Sequence, residues 1–302
     1  MSRVLVTGGA GFIGSNLVDA LIAVNHDVVV IDNESAEVHE KFYWNSKADN
    51  YKFDICDYEK IRDLFLQVDI VFHLAAESRI QPGINNPLLT IKTNALGTAT
   101  VLQCARENNA KRFIYSTTSS YYGLKNSTPN VETQTKDCLN PYSVAKVAGE
   151  EICKIYSSLF GLPTLSLRYF NVYGEREPLK GPYAPVIGLF LRQKKLGLPL
   201  TIVGDGLQRR DFTHIDDVVR ANLMAAFQEL PETAFGQTYN VGSGRNFSML
   251  DIATLIGADN LEFLPPRPGE ARETLASIDK IYKTLGWKPE RLLEDYLHAN
   301  LQ

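Results

Sequence analysis

The sequence has few of the residues that build metal centres and disulfide frameworks. Its four cysteines, Cys56, Cys104, Cys138 and Cys153, show no C-x-x-C spacing, and its five histidines show no metal-ligand pattern. We therefore expect no metal site, and we expect reduced thiols in a cytoplasmic protein. No apolar run approaches the roughly 18 residues that a membrane span needs.

Positive charge is not in excess either. The formal net charge is −4, which gives no reason to expect a nucleic-acid partner. The first predicted strand begins at Val4, so we expect no signal peptide. The length of 302 residues and the hydrophobic content of 44% suit a globular protein of one or two domains.

Glycine is concentrated near the N-terminus in an ordered pattern. A short apolar strand, Val4–Val6, runs into TGGAGFIG (7–14) and then into a predicted helix. Gly8, Gly11 and Gly14 follow the spacing G-x-x-G-x-x-G, a variant of the dinucleotide fingerprint. Glycines let the backbone approach a pyrophosphate, which the N–H groups at the helix start then bind. The pattern predicts a dinucleotide site.

An acidic residue ends the second predicted strand. Asp32 follows Val28–Ile31 and stands 18 residues after Gly14, about where a carboxylate should hold ribose hydroxyls. A carboxylate there repels a 2′-phosphate, and no arginine lies between Asp32 and Asp54. We therefore expect NAD rather than NADP. A structural βαβ unit without a ligand is the alternative.

A tyrosine and a lysine are spaced one helical turn apart near the middle of the chain. Asn140 is a good N-cap and Pro141 fits the first helical position, so a predicted helix places Tyr142 and Lys146 on one face. A free tyrosine has a pKa near 10 and is a poor base at neutral pH. We expect the Lys146 cation to lower the pKa of Tyr142 by roughly three pH units. The motif is short, and by itself it also describes an ordinary surface helix.

Predicted strands and helices alternate through about residue 170. The strands at 51–54, 70–74, 112–116 and 164–169 alternate with helices at 58–67, 87–108 and 141–161. This order is typical of a Rossmann-type α/β fold, a doubly wound parallel sheet that binds ligands at the carboxyl ends of its strands. Ten of the fourteen prolines lie after residue 160, which predicts a less regular second region for the substrate.

Further segments carry a specific family resemblance. They are FDICD (53–57), HLAA (73–76), STTSSYYG (116–123), NPYSVAK (140–146), LRYFNVYG (167–174), GDGLQRRDFTHIDD (204–217), YNVGSG (239–244) and RPGE (267–270). Together with TGGAGFIG they resemble the extended short-chain dehydrogenase/reductases of the NAD-dependent epimerase/dehydratase family, and are most similar to the UDP-glucose 4-epimerases. The likeness runs from Val4 to about Leu285.

The resemblance also implies a division of the chain. We predict an NAD-binding Rossmann domain over 1–170, to which 211–240 returns. The smaller C-terminal mixed α/β region, 171–210 and 241–302, is expected to bind a nucleotide sugar.

The resemblance implies catalytic and cofactor roles. Thr118 matches the family's catalytic serine or threonine, whose hydroxyl relays a proton between the sugar and Tyr142. Lys146 is implied to hold the nicotinamide ribose, and Asn94 to anchor the active-site region. The positions implied for NAD binding are Gly8, Gly11, Phe12, Ile13, Gly14, Asp32, Asn33, Asp54, Ile55, Leu74, Ala75, Ala76, Asn94, Thr117, Tyr142, Lys146 and Tyr169.

A second set of positions is implied to bind a UDP-sugar. Arg210 and Arg267 match two arginines that grip the diphosphate, and Glu270 matches a carboxylate that holds the uridine ribose. Thr274 matches a residue beside the hexose 2-substituent; its small side chain predicts room for an N-acetyl group, although it could be an ordinary strand residue. The full set is Glu77, Thr118, Ser119, Asn171, Val186, Phe190, Thr201, Val203, Arg210, Arg267, Glu270 and Thr274.

The resemblance implies 4-epimerisation of a UDP-hexose through a transient 4-keto sugar. Ser119 and Ser120 follow Thr118, and neither supplies the acid that the family's dehydratases and decarboxylases need. Another nucleotide-sugar enzyme, such as a UDP-glucuronate 4-epimerase or a reductase, and a non-catalytic NAD sensor are the alternatives. The helices predicted at 87–108 and 141–161 carry apolar residues on more than one side, and in this family they pair into a homodimer.

Overall fold

The structure, a computed structural model, describes residues 1–36, 39–178 and 184–301. The first part of the chain alternates strands and helices. Its elements are β1 (Arg3–Thr7), α1 (Phe12–Ala23), β2 (Asp27–Asp32), β3 (Asp49–Lys52), α2 (Tyr58–Ile61), β4 (Ile70–His73), α3 (Ile80–Asn85), α4 (Pro87–Ile91), α5 (Thr98–Glu107), β5 (Arg112–Thr118), α6 (Pro141–Phe160) and β6 (Thr164–Tyr169).

Shorter strands and helices follow. They are β7 (Val172–Tyr173), α7 (Val186–Lys195), β8 (Leu200–Val203), β9 (Arg209–Asp211), β10 (Thr213–His214), α8 (Ile215–Phe227), β11 (Gln237–Val241), β12 (Asn246–Ser248), α9 (Met249–Leu255), β13 (Leu261–Leu264), α10 (Asp279–Leu285) and α11 (Leu293–Leu301). No helix among the described residues is long and apolar enough to cross a membrane.

Within the described residues, seven strands form one sheet in the order β11-β6-β5-β4-β1-β2-β3, and every pairing is parallel. The order of β3 through β6 is that of a Rossmann sheet, in which ligands bind where the strand order reverses. Here the reversal lies between β1 and β4. The predicted fold class is therefore confirmed.

Apolar layers cover both faces of this sheet. One buried cluster joins β1, β2 and β6 to α1, α8 and α10, and a second joins the opposite face to α5 and α6. The central strands are buried on both sides, as parallel strands covered by helices must be. β11, from the 211–240 segment, forms the edge of the sheet beside β6.

The later elements build a smaller region with its own core. Tyr173, Ile187, Phe190, Leu200 and Ile252 are buried together in it. Its strand pairs are short: β8 pairs with β13 and β9 pairs with β12. The region therefore consists of short strands, helices and loops around a core of its own.

Three predicted boundaries are wrong. The strand expected at 51–54 ends at Lys52, so Asp54 lies beyond it. The helix expected at 58–67 is α2 followed by a 3₁₀ turn over Arg62–Phe65. The helix expected at 87–108 is interrupted by a π turn over Lys92–Gly97. Gly97 packs there against Ile55, and a Cβ at Gly97 would lie 2.7 Å from the Ile55 Cδ1.

Candidate active site

The glycine segment forms a turn that side chains would block. Gly8 has φ +69°, and a Cβ there would lie 2.7 Å from the Ala75 amide nitrogen. A Cβ on Gly14 would lie 2.1 Å from the Gly8 carbonyl oxygen. Gly11 immediately precedes α1, whose first N–H groups have no partner within the helix. The turn therefore offers backbone donors in a space that suits a pyrophosphate.

Asp32 lies at the carboxyl end of β2, next to this turn. Its Oδ2 accepts the Ala10 amide at 3.1 Å and its Oδ1 accepts the Glu34 amide at 2.8 Å. Burial raises the pKa of Asp32, and these amides oppose the rise. Each carboxylate oxygen has a second lone pair, so the group still has capacity to accept ribose hydroxyls. The glycine turn and Asp32 together fit an adenosine diphosphate moiety.

The proton-transfer residues come from β5 and α6. Asn140 caps α6 by accepting the Ser143 amide at 2.8 Å, and Pro141 occupies the first turn, as predicted. Tyr142 and Lys146 therefore lie one turn apart, facing the end of β5. Thr118 is the last residue of β5 and accepts the Ser120 amide at 3.1 Å. Thr118, Tyr142 and Lys146 all line one cavity.

The predicted effect of Lys146 on Tyr142 is wrong in this structure. Burial raises the pKa of Tyr142, and the nearby Thr118 hydroxyl and the Arg79 charge only partly offset that rise. Lys146 is itself buried, which lowers its pKa to about 7. Its Nζ donates to the Ser116 carbonyl oxygen at 2.8 Å. The spacing predicts that the two residues share one face of α6. Burial sets the pKa of each residue, and the hydrogen bond directs the Lys146 ammonium to the Ser116 carbonyl oxygen.

A buried ion pair between β6 and α6 stabilises the end of β5. Arg168 on β6 donates to both oxygens of Glu150, at 2.9 and 2.6 Å, and the two side chains are almost fully buried. The Thr117 hydroxyl donates to Glu150 at 2.8 Å. Arg168 also donates to the Tyr122 hydroxyl at 3.0 Å. These contacts fix the backbone from which Thr118 reaches the cavity.

The smaller region supplies the other end of the cavity. Arg210 and Glu270 face each other there, with Nη2 and Oε2 3.6 Å apart. Gln81 reaches across to the Pro268 carbonyl at 2.9 Å and to Glu270 at 3.4 Å. Arg267 also lines this end. Two guanidinium groups here suit a diphosphate, since their planar forks bind phosphate oxygens in pairs.

The cavity has a volume of about 740 Å³ and runs from the glycine turn to these arginines. It brings together most of the residues that the resemblance implied. Those in its lining are Gly8, Gly11, Phe12, Ile13, Gly14, Asp32, Asn33, Ile55, Leu74, Ala75, Ala76, Thr117, Thr118, Ser119, Tyr142, Lys146, Tyr169, Asn171, Val186, Phe190, Thr201, Val203, Arg210, Arg267, Glu270 and Thr274.

Three implied residues, Asp54, Glu77 and Asn94, do not line the cavity. Asp54 accepts the Cys56 amide at 2.8 Å, in the turn after β3. Asn94, in the π turn, accepts the Glu77 amide at 2.8 Å and donates to the Glu77 carbonyl at 2.9 Å. Asn94 therefore contacts protein backbone and holds the loop after β4 in place. It does so from the π turn over Lys92–Gly97.

Several lining residues escaped the sequence analysis. Arg79, Gln81, Glu177, Gln193 and Gln208 all lie on the cavity wall. Arg79 follows the carboxyl end of β4, where a ligand loop is expected, so its position was a usable signal. Glu177, Gln193 and Gln208 lie in the irregular later part of the chain, where no periodic pattern marks the side that faces a ligand.

Comparisons with known proteins agree with this geometry. The model of the NAD dependent epimerase/dehydratase family matches residues 4–242. A putative UDP-glucose 4-epimerase from Methanocaldococcus jannaschii is 36% identical over 296 residues, covering 95% of this chain and 93% of that protein.

Two solved structures are similar along nearly the whole chain. UDP-glucose 4-epimerase with UDP-glucose from Thermotoga maritima has a TM-score of 0.92 and 34% identity, covering 99% of this chain and 97% of the other. UDP-N-acetylglucosamine 4-epimerase from Methanobrevibacter ruminantium, in complex with UDP-N-acetylmuramic acid, has a TM-score of 0.90 and 30% identity, with the same coverage. These findings confirm the predicted family and its cofactor, NAD. The chain belongs to the NAD dependent epimerase/dehydratase family.

Proposed function

We propose that this protein interconverts the C4 epimers of a UDP-hexose. The observation that supports the proposal is one continuous cavity. Its lining includes the glycine turn, Arg210 and Arg267 of the smaller region, and Thr118, Tyr142 and Lys146. A dinucleotide and a sugar diphosphate then meet at the proton-transfer residues.

The chain's own residues move a proton and hold the sugar. Tyr142 takes the proton from the sugar 4-hydroxyl, and the Thr118 hydroxyl positions that group or relays the proton. NAD, when bound, supplies the acceptor for the C4 hydride. Lys146 lies one helical turn after Tyr142 on α6 and also lines the cavity, and it is proposed to hold the nicotinamide ribose. Removing the proton and hydride leaves a planar 4-keto sugar.

Inversion at C4 requires the sugar to turn while its UDP end stays bound. Arg210 and Arg267 are proposed to hold the diphosphate, and Glu270 the uridine ribose. Val186, Phe190, Thr201 and Val203 line the wall proposed for uracil. The turned 4-keto sugar then takes the hydride back on its opposite face, and Tyr142 returns the proton.

The residues after Thr118 support epimerisation over other reactions of the family. Ser119 and Ser120 lie in the 3₁₀ turn that follows β5, and both line the cavity. Elimination of water or loss of a carboxyl group calls for a further acid at that point, and a hydroxyl does not supply it. A 4-epimerisation needs only the base already present.

Thr274 supports a broad choice of hexose. Its side chain is buried in the cavity wall, where its Oγ1 accepts the Asp211 amide at 3.3 Å. Threonine at this place leaves room that a large aromatic ring would fill. We propose that N-acetylhexosamines are accepted beside glucose and galactose.

We also propose a homodimer built on α4, α5 and α6. Several apolar side chains of these helices are in the core, among them Val101, Leu102 and Val147. Others are strongly exposed: Leu88 by 80%, Leu159 by 70%, Ile155 by 47% and Ile91 by 46%. α4 packs beside α6, and we propose that a second copy covers these exposed apolar side chains. The four free cysteines agree with a cytoplasmic protein.

The first prediction tests the base. Tyr142→Phe should lower kcat at least about 100-fold, because general acid–base catalysis contributes that much or more. Binding of UDP, measured by calorimetry, should stay near native. Tyr156→Phe, on the same helix but bonded to Gln103 outside the cavity, is the control and should keep native kcat. Near-native turnover in Tyr142→Phe would sink the assignment.

The second prediction concerns cofactor choice. The Asp32 carboxylate should make NADP bind about 100-fold more weakly than NAD, because like charges brought together cost several kcal/mol. Asp32→Asn should bring the dissociation constants of NADP and NAD closer together, as measured by titration calorimetry. Asp27→Asn, at the other end of the same strand, should leave the ratio unchanged. Purified native protein carrying mainly NADP by mass spectrometry would contradict the assignment.

The third prediction concerns the hexose. Thr274→Tyr should lower kcat/KM for UDP-N-acetylglucosamine at least about tenfold while keeping UDP-glucose turnover, because the ring fills space beside the 2-substituent. Thr274→Ser keeps the hydroxyl that meets Asp211 and should resemble native. The same assays should include UDP-glucuronate. If the native protein turns over UDP-glucuronate alone, the neutral-hexose assignment is wrong.

The fourth prediction concerns assembly. Native protein should be a dimer by light scattering at micromolar concentration, and Leu159→Glu should shift it towards monomer by placing charge in the apolar face. Leu196→Glu changes another strongly exposed leucine, in the smaller region, and should remain dimeric. A native monomer under these conditions excludes the proposed interface.

A further inference from the structure

The segment 267–270, proposed above to hold UDP, is tied to the start of α6 by one side chain. Asn140 donates from its Nδ2 to the Gly269 carbonyl oxygen at 2.8 Å, although the two residues lie 129 positions apart in sequence. Asn140 is the residue that caps α6. The hydrogen bond therefore joins the UDP segment directly to the helix that carries Tyr142.

The two ends of the Asn140 carboxamide have different partners. Its Oδ1 accepts the Ser143 amide at 2.8 Å, which caps the helix, and its Nδ2 bonds Gly269. The residue is only 6% exposed. A serine or an aspartate would also cap a helix, so the cap by itself needs only the acceptor. The hydrogen bond to Gly269 uses the donor that asparagine adds.

Gly269 lies close against Asn140 and α3. Its φ is +78°, a backbone conformation that favours glycine. A Cβ at this position would lie 3.2 Å from the Ile84 Cδ1 and 3.3 Å from the Asn140 Cβ. The lack of a side chain at Gly269 thus leaves room for its backbone to meet the Asn140 amide.

Gln81, on α3, holds the neighbouring carbonyl. Its Nε2 donates to the Pro268 carbonyl oxygen at 2.9 Å. α3 in turn packs on α6, where a Cβ on Gly83 would lie 3.3 Å from the Tyr142 Cβ. Two successive carbonyls of the UDP segment therefore receive donors from two elements that pack together beside Tyr142.

The proposed UDP contacts flank these two carbonyls. Arg267 and Glu270 both line the cavity, and Glu270 faces Arg210 with its Oε2 3.6 Å from the Nη2. Tyr142 lies two residues after Asn140. A shift of the segment against α6 would move UDP relative to the base, and a misplacement of about 1 Å can cost roughly 100-fold in rate.

We propose that Asn140 is a positioning residue that holds the UDP segment in register with Tyr142. Its Oδ1 serves the helix, and its Nδ2 fixes the distance between the bound diphosphate and the base. This inference rests on the proposed function, because it assigns the segment 267–270 to UDP. It extends that function by giving the helix cap a part in placing the substrate.

The first arm of the test measures UDP binding by titration calorimetry and needs no turnover. Asn140→Ser keeps a capping hydroxyl but is too short to reach the Gly269 carbonyl. It should weaken UDP binding about tenfold, because the segment must then be ordered when UDP binds.

Asn86→Ser is the matched control for this arm. Asn86 caps α4 ahead of Pro87 by accepting the Leu89 amide at 3.3 Å, so it changes the same kind of cap at another helix. Asn86→Ser should bind UDP as the native protein does. Native binding by Asn140→Ser, or an equal loss in Asn86→Ser, overturns the proposal.

The second arm separates positioning from capping. At saturating UDP-hexose, Asn140→Ser should lower kcat about tenfold, because the sugar meets Tyr142 out of register. Asn140→Asp also keeps the cap but presents an acceptor to the Gly269 carbonyl, and it should lose kcat to a similar degree. Asn140→Ala removes the cap as well and should unfold at a lower temperature than either. Native kcat in the serine and aspartate variants, with loss confined to Asn140→Ala, shows that only the cap matters and overturns the proposal.

Failure of this inference is distinguishable from failure of the proposed function. If native protein binds UDP without epimerase activity, and Asn140→Ser but not Asn86→Ser binds UDP more weakly, the proposed function is wrong and Asn140 still places the UDP segment. If native protein is an epimerase and Asn140→Ser matches it in UDP affinity and kcat, the function stands and the role of Asn140 is wrong.

Discussion

Parallel pairing of the central strands is the constraint on which the site depends. β1 pairs with β4 so that Thr7 lies beside His73, and β5 pairs with β6 so that Thr118 lies beside Tyr169. In a parallel sheet the carboxyl ends share one edge, so residues far apart in sequence reach one cavity. A buried polar chain reinforces this edge. His73 contacts the Thr7 hydroxyl at 2.7 Å and the Thr98 hydroxyl at 2.9 Å, which ties β1 and β4 to α5.

Several charged side chains are buried near this edge of the sheet. Glu150 and Arg168 are paired, and each also bonds a neighbouring hydroxyl, Thr117 for Glu150 and Tyr122 for Arg168, so neither charge is left alone. Among the residues that the structure describes, no carboxylate lies at salt-bridge distance from Lys146, which donates to a backbone carbonyl, and burial lowers its pKa to about 7. Tyr142 is half-buried, and the rise in its pKa leaves it a neutral phenol.

Local signals in the sequence predicted much of the fold and of the candidate site. The glycine turn, Asp32 at a strand end and the Asn140–Pro141 cap each depend on a few adjacent residues, and their chemistry holds wherever they occur. The parallel sheet was predicted from the alternation of strands and helices along the sequence. The role of Lys146 could not be predicted in the same way, because spacing shows which face a side chain occupies and not which carbonyl it meets. Arg79 and Glu177 are set by packing between separate elements. The π turn around Asn94 was hidden because its sequence remains compatible with a regular helix.

The central claim is that hydride leaves C4 and returns to C4 of the same sugar within one cavity. The most direct measurement uses UDP-glucose carrying deuterium at C4, incubated with the native protein without added NAD, and follows the product by mass spectrometry and NMR. The account predicts UDP-galactose that keeps its deuterium at C4, with none released to solvent. Label lost to water, or product formed only in proportion to added NAD, would contradict it.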